Sequence, residues 1–204
     1  MLGFIRGRSE SGLSVFEEQI LEFCEDLEKD LDELKEEVRS DERVQRLITV
    51  GVERIFWGAR QAKAQRFAAV IAHTVAGEKT DRQFEDAASY IRALDELSED
   101  DLKVLHHLYR YQSNLVLENH ARDPGSFYER GGIIPMLRNI GYLGMQMDDF
   151  YSRCERVSGY GLAMRLERRP LEINENDRPF RMTLSGKRLV EMLKITERPV
   201  DEST

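Results

Sequence analysis

The chain has 204 residues, 41% of them hydrophobic and 33% charged, which excludes a disordered or low-complexity protein and allows one ordinary domain or two small ones. A net charge of −8 argues against indiscriminate coating of nucleic acid, yet the charge is unevenly distributed. Residues 1–42 hold 5 Lys/Arg against 14 Asp/Glu, residues 43–77 hold 6 against 1, and residues 127–198 hold 13 against 10.

From residue 13 to 38, apolar side chains recur in steps of three and four, at Leu13, Phe16, Ile20, Phe23, Leu27, Leu31, Leu34 and Val38. That spacing predicts an amphipathic helix with an acidic outer face. Ser40 interrupts it, and Asp41 with Glu42 suits the N-cap and acidic first turn of a second helix. The second helix is expected over residues 41–76, on a stripe that includes Val44, Leu47, Ile48, Gly51, Ile55, Val70 and Thr74, with Gly77 as its C-cap. Gly51 and Gly58 lie two turns apart, where a missing side chain either admits a neighbouring helix or costs the helix ~1 kcal/mol. Trp57 is read as a core anchor or, more sharply, an oligomer contact. An acidic helix followed by a basic one predicts an antiparallel αα-hairpin, with charge choosing the partner and apolar burial holding it.

Thr80-Asp81-Arg82-Gln83 reads as a capping box opening a helix that carries Phe84, Ala87, Ala88, Ile91 and Leu94. Ser98-Glu99-Asp100-Asp101 opens the next, with Leu102, Leu105, Leu108, Tyr109 and Leu115 on its stripe. Residues 119–132 are polar, contain Asp123-Pro124-Gly125, and read as loop. A short apolar helix follows over 133–140, with Pro135 in its first turn and Gly141 ending it. Another spans 147–157, with Phe150, Cys154 and Val157 on one side.

The period then changes. Leu162, Met164 and Leu166 alternate with Ala163, Arg165 and Glu167, and Phe180 and Met182 alternate with Arg181 and Thr183, around a polar loop at 170–179. Both runs have the repeat of half-buried strands, their apolar members turned inward, which places Arg165 and Arg181 on one outer face. Thr183 or Ser185 then caps a helix bearing Leu189, Val190, Met192 and Leu193.

Over residues 98–194 the order is helix, helix, helix, strand, loop, strand, helix. The entry Gly161-Leu162 and the closing run Phe180-Arg181-Met182-Thr183-Leu184-Ser185-Gly186-Lys187-Arg188-Leu189 are its most specific parts. This pattern resembles the winged-helix superfamily. The resemblance implies that helix 147–157 lies in a DNA major groove and that the hairpin touches phosphate. The residues then expected at nucleic acid are Arg153 and Arg156, one turn apart, with Arg165, Arg168, Arg169, Arg178 and Arg181 on and around the hairpin. Four phosphate contacts would give a log–log salt slope of roughly −3.6. The opposing reading rests on Asp148 and Asp149 at the start of that helix and on Glu172, Glu175 and Asp177 in the loop. Such a mixed surface suits a winged helix that binds protein.

No catalytic constellation stands out. His106 and His107 are adjacent on a helix and point ~100° apart, so they do not share an ion. His73 and His120 stand apart from them. Ser185-Gly186-Lys187 has the ending of a phosphate-binding loop without its first Gly or its following Ser/Thr. Cys24 and Cys154 are too few for a disulfide framework, so a reducing cytoplasm is expected. The opening MLGFIRGR has no export core, and the apolar run 67–72 is far short of the ~20 residues of a membrane span.

The sequence therefore predicts a mainly α protein. Residues 1–97 form an antiparallel helical region suited to homodimerisation, 98–197 a winged-helix-like module with a small antiparallel β-hairpin, and 198–204 a tail. The expected role is a non-enzymatic nucleic-acid-binding regulator, or else a scaffold whose winged helix binds protein. No cofactor, metal or membrane partner is expected.

Overall fold

The computed structural model describes residues 40–56, 61–112, 133–166 and 179–193. They are mainly helical, with one two-stranded antiparallel sheet. No helix among them is long and apolar enough to cross a membrane. The chain divides into two compact units, the second running from Leu97 to Glu191.

In the first unit, α1 (Glu42–Phe56), α2 (Gln61–Ala76) and α3 (Asp81–Glu96) pack on one another. Asp41 caps α1 by accepting the Arg43 N–H at 2.8 Å, as its position before an acidic turn predicts. The Arg43 guanidinium holds the Asp41 carboxyl below the ordinary carboxylate range. That guanidinium also donates to the Lys79 carbonyl at 3.1 Å and to Asp81 at 2.9 Å, and lies 4.6 Å above the Phe84 ring. The start of α1 is thereby tied to the start of α3. At the opposite end Arg54 pairs with Asp95, and Lys63 donates to the Asp95 carbonyl. Helices α1 and α3 are consequently parallel, and α2 runs back between them.

This overturns the single helix expected over residues 41–76. An unbroken helix of that length would hold its ends ~54 Å apart, whereas Arg43 and Lys79 are in hydrogen-bond contact. The physical reason is the run Phe67–Ala72, in which every residue is fully buried. A helix apolar all round needs neighbours on every side, and folding back supplies α1 as one of them. Trp57 and Gly58 fall between α1 and α2, outside the described residues, as does the acidic helix expected over 13–38. Helix α2 ends at Ala76 with Gly77 in the expected C-cap place, its N–H donating to the Thr74 carbonyl at 3.3 Å, and the left-handed residue of the turn is Lys79 (φ 56°). The expected capping box is present: Thr80 N–H donates to Gln83 Oε1 at 3.1 Å, and Gln83 N–H to Thr80 Oγ1 at 3.3 Å.

The second unit begins with α4 (Glu99–Gln112), then α5 (Ile133–Arg138), a 3-10 turn (Ile140–Leu143), α6 (Met147–Gly159), β1 (Ala163–Arg165), β2 (Phe180–Met182) and α7 (Leu184–Leu193). The expected 133–140 helix stops at Arg138, and the turn after it ends on left-handed Gly144 (φ 66°) rather than at Gly141. Leu105, Leu108, Met136, Phe150, Cys154, Val157, Leu162, Phe180 and Leu189 are buried. Thr183 caps α7, its Oγ1 accepting the Gly186 N–H at 3.0 Å and donating to the Gly161 carbonyl at 2.7 Å.

Strand β2 keeps the expected alternation, with Phe180 and Met182 inward and Arg181 outward. Strand β1 does not. Its register pairs Met164 with Arg181 and Arg165 with Phe180, so Met164 is 40% exposed while Leu162 and Ala163 are both buried. Left-handed Gly161 (φ 71°) turns the chain, and the Leu162 carbonyl accepts the Thr183 N–H at 3.1 Å. Leu162 thus packs beneath the start of α7 before the pleat proper begins.

Candidate interaction surface on the second unit

Helix α6 is the element that the winged-helix resemblance would place in a groove. Phe150, Tyr151, Cys154 and Val157 fix its inner side, leaving Met147, Asp148, Asp149, Ser152, Glu155, Arg156 and Gly159 exposed. The side chain of Gln146, its N-cap, makes no capping bond, so the two acids of the first turn are what complements the positive end of the helix.

The expected arginines are used very differently. Arg153 is only 19% exposed and lies among three carboxylates: Asp149 at 3.1 Å, Asp101 at 3.3 Å and Asp100 at 3.4 Å. Its hydrogen bond to Asp149, before the fields of Asp100 and Asp101, keeps its pKa raised. Arg156 is 57% exposed, but one nitrogen sits 3.3 Å from Asp101. The completely buried Asp101 also accepts the N–H and hydroxyl of Ser98 at 2.8 and 2.7 Å. The α4 capping box and the two α6 arginines are one network. Spacing alone places Arg153 and Arg156 together, and the carboxylates that occupy them lie up to 55 residues away.

Arg181 projects outward, its Nε 3.0 Å from the Met164 sulfur. Arg165 does not share that face: opposite Phe180 in the register, it approaches Glu155 at 3.9 Å. Arg168, Arg169 and Arg178 lie outside the described residues. The described arginines therefore do not converge on one outward stripe.

Two buried polar side chains of this unit are not singled out by the sequence pattern. Gln112 donates to the Phe180 carbonyl at 3.0 Å and accepts the Met182 N–H at 2.9 Å, satisfying the outer edge of β2 as a third strand would. A polar residue four positions after Leu108 on a buried stripe is the available signal. His107 stands against Tyr111 and Phe150, and its Nε2 lies 3.0 Å from the Met136 carbonyl. A carbonyl only accepts, so Nε2 carries the proton.

Burial, reinforced by Arg110, pushes the His107 pKa down against the opposing Met136 bond, and burial lowers that of His73. The unfolded chain therefore takes up protons from about pH 6.5 downward while the folded one resists. Stability should be fully present above that pH and decline below it, with a slope reduced in His107→Gln. Urea midpoints from about pH 7.5 to 5.5, above most carboxylate titration, test this; identical slopes in the two proteins would refute it.

Burial also raises the Cys154 thiol pKa well above its ordinary value. Among the described residues no group of three or more His, Cys, Asp or Glu side chains is placed to hold a metal. No family model, curated protein or solved structure matches the chain.

Proposed function

We propose that the protein is a non-catalytic interaction protein whose second unit is a winged-helix-like module docking another protein through α6 and the hairpin. The element order and the antiparallel hairpin support the winged-helix-like reading. One observation favours a protein partner over duplex DNA: Arg153 is held by Asp100, Asp101 and Asp149, while Asp148 and Asp149 occupy the exposed first turn of α6. A DNA-reading helix approaches the duplex with that end, where the Asp148 carboxylate would meet phosphate and the nearby Arg153 is already taken up by its own acids.

Exposed aromatic and thioether side chains among those charges suit a protein surface. Tyr142 is 83% exposed, and Met147, Met164 and Leu184 are each at least a third exposed; all four lie in the second unit.

The test is titration of a fluorescent mixed-sequence 30-base-pair duplex with the full chain across a salt series. No saturable binding is expected up to protein concentrations of about 10⁻⁴ M, the weak end of non-specific DNA affinity. Saturable binding with a salt slope near roughly −3.6, abolished by the Arg165→Ala/Arg181→Ala double substitution, would restore the DNA-binding regulator in its place.

A further inference from the structure

The exposed apolar side chains of the second unit fall at two places of opposite charge. At the N-terminal end of α6, Tyr142 and Met147 stand beside Asp148 and Asp149. Tyr142 is the most exposed of these side chains, and Gly141 and Gly144 around it have open space where a side chain would extend. The backbone that carries the ring is held in a hydrogen-bonded turn: Tyr142 N–H donates to the Asn139 carbonyl at 3.1 Å and Gly144 N–H to the Gly141 carbonyl at 3.1 Å, with the neighbouring Ile140 buried. On the hairpin that follows α6, Met164 stands with Arg181 directly across the register and Leu184 opens α7, while Arg165, next in β1, turns toward Glu155.

An acidic, aromatic patch thus lies at the N-terminal end of α6, and a basic, thioether patch lies on the hairpin that follows its C-terminal end; the helix itself is about 20 Å long. Resting on the protein-docking reading above, we infer that the occupant of this surface is a second copy of the chain, its α6 antiparallel to the first. A two-fold axis then brings the acidic patch of each copy onto the basic patch of the other, making every favourable contact twice. Between the two patches the outer side of α6 presents Ser152 and Gly159, small residues that permit approach, with Glu155 and Arg156 engaged within the molecule by Arg165 and Asp101. Met147 and Met164 are the unbranched, adaptable side chains that fit such a contact.

The experiment is mass by light scattering on the full chain over a dilution series, with charge reversals at two exposed positions where folding is little at risk. The native chain should give a dimer mass at high concentration. Asp148→Arg and Arg181→Glu should each weaken association by about tenfold or more, because each places like charges together twice per dimer. Combining them should bring the dissociation constant back to within about threefold of native, since each patch again meets its opposite. Circular dichroism confirms that the variants remain folded. A monomer at all concentrations, a dimer indifferent to the single reversals, or a double variant no better than its parents would overturn the inference. Those outcomes leave the protein-docking reading to stand or fall on the DNA titration.

Discussion

Replacing Gly186 with alanine is expected to destabilise the second unit by about 3 kcal/mol, the upper end of the range for overpacked cores. A Cβ at this position would stand 2.0 Å from the Leu162 carbonyl oxygen and 2.9 Å from its carbon, with Met182 Cγ a further 3.2 Å contact. The methionine can rotate away. The Leu162 carbonyl cannot, because it accepts the Thr183 N–H that seats α7 on the hairpin. Helix propensity acts in the other direction, by ~1 kcal/mol in favour of alanine, so the net sign is a direct measure of the backbone clash. Gly159→Ala is the control: Gly159 also lies in a helix, an added methyl there would meet nothing within 4 Å, and the change should be neutral or stabilising by a few tenths of a kcal/mol. Equal unfolding midpoints for the two variants would show that α7 tolerates displacement from β1.

Gly186 also marks where local sequence patterns stop being informative. A glycine at a helix start is visible in the closing pattern, and Thr183 is one of two expected caps; the reason for the glycine is not visible, since Leu162 is 24 residues earlier. Local chemistry is legible wherever both partners are close in sequence, as in the Asp41 cap, the Thr80–Gln83 box and the alternation of Phe180, Arg181 and Met182. It fails where a longer contact overrides the pattern. The helical period runs on through residues 41–76 without announcing that the chain turns back to surround Phe67–Ala72. Leu162, Met164 and Leu166 suggest one phase for β1, yet the α7 contact draws Leu162 and Ala163 inward together. At the candidate surface, spacing rightly puts Arg153 and Arg156 on one helix, but whether an arginine is available depends on Asp100 and Asp101, which its own helix does not contain.

Asp101→Ala tests that last dependence, with an expected loss of about 3 kcal/mol. Removing the carboxylate deletes the half of the capping box that accepts the Ser98 N–H, a hydrogen bond worth about 1 kcal/mol, and breaks a buried ion pair, for which about 3–5 kcal/mol is typical when one partner is removed. The pair contributes at or below the bottom of that range here because the orphaned cations are not stranded: Arg156 is largely in solvent, and Arg153 keeps Asp149 and Asp100. Asp101→Asn retains an oxygen for the Ser98 N–H and should cost roughly half as much. Arg156→Ala, an exposed partner, should cost under about 1 kcal/mol. Denaturant unfolding gives all three values, and an Arg156→Ala loss equal to that of Asp101→Ala would mean that charge pairing rather than capping holds α4 to α6. The ranking also bears on function. If Arg153 and Asp101 brace the unit, then Arg153→Ala weakens any partner's binding by loosening α6, and its effect should appear in the unfolding midpoint as well as the affinity. Arg181→Ala, at an outward position of the hairpin, should change affinity without moving the midpoint.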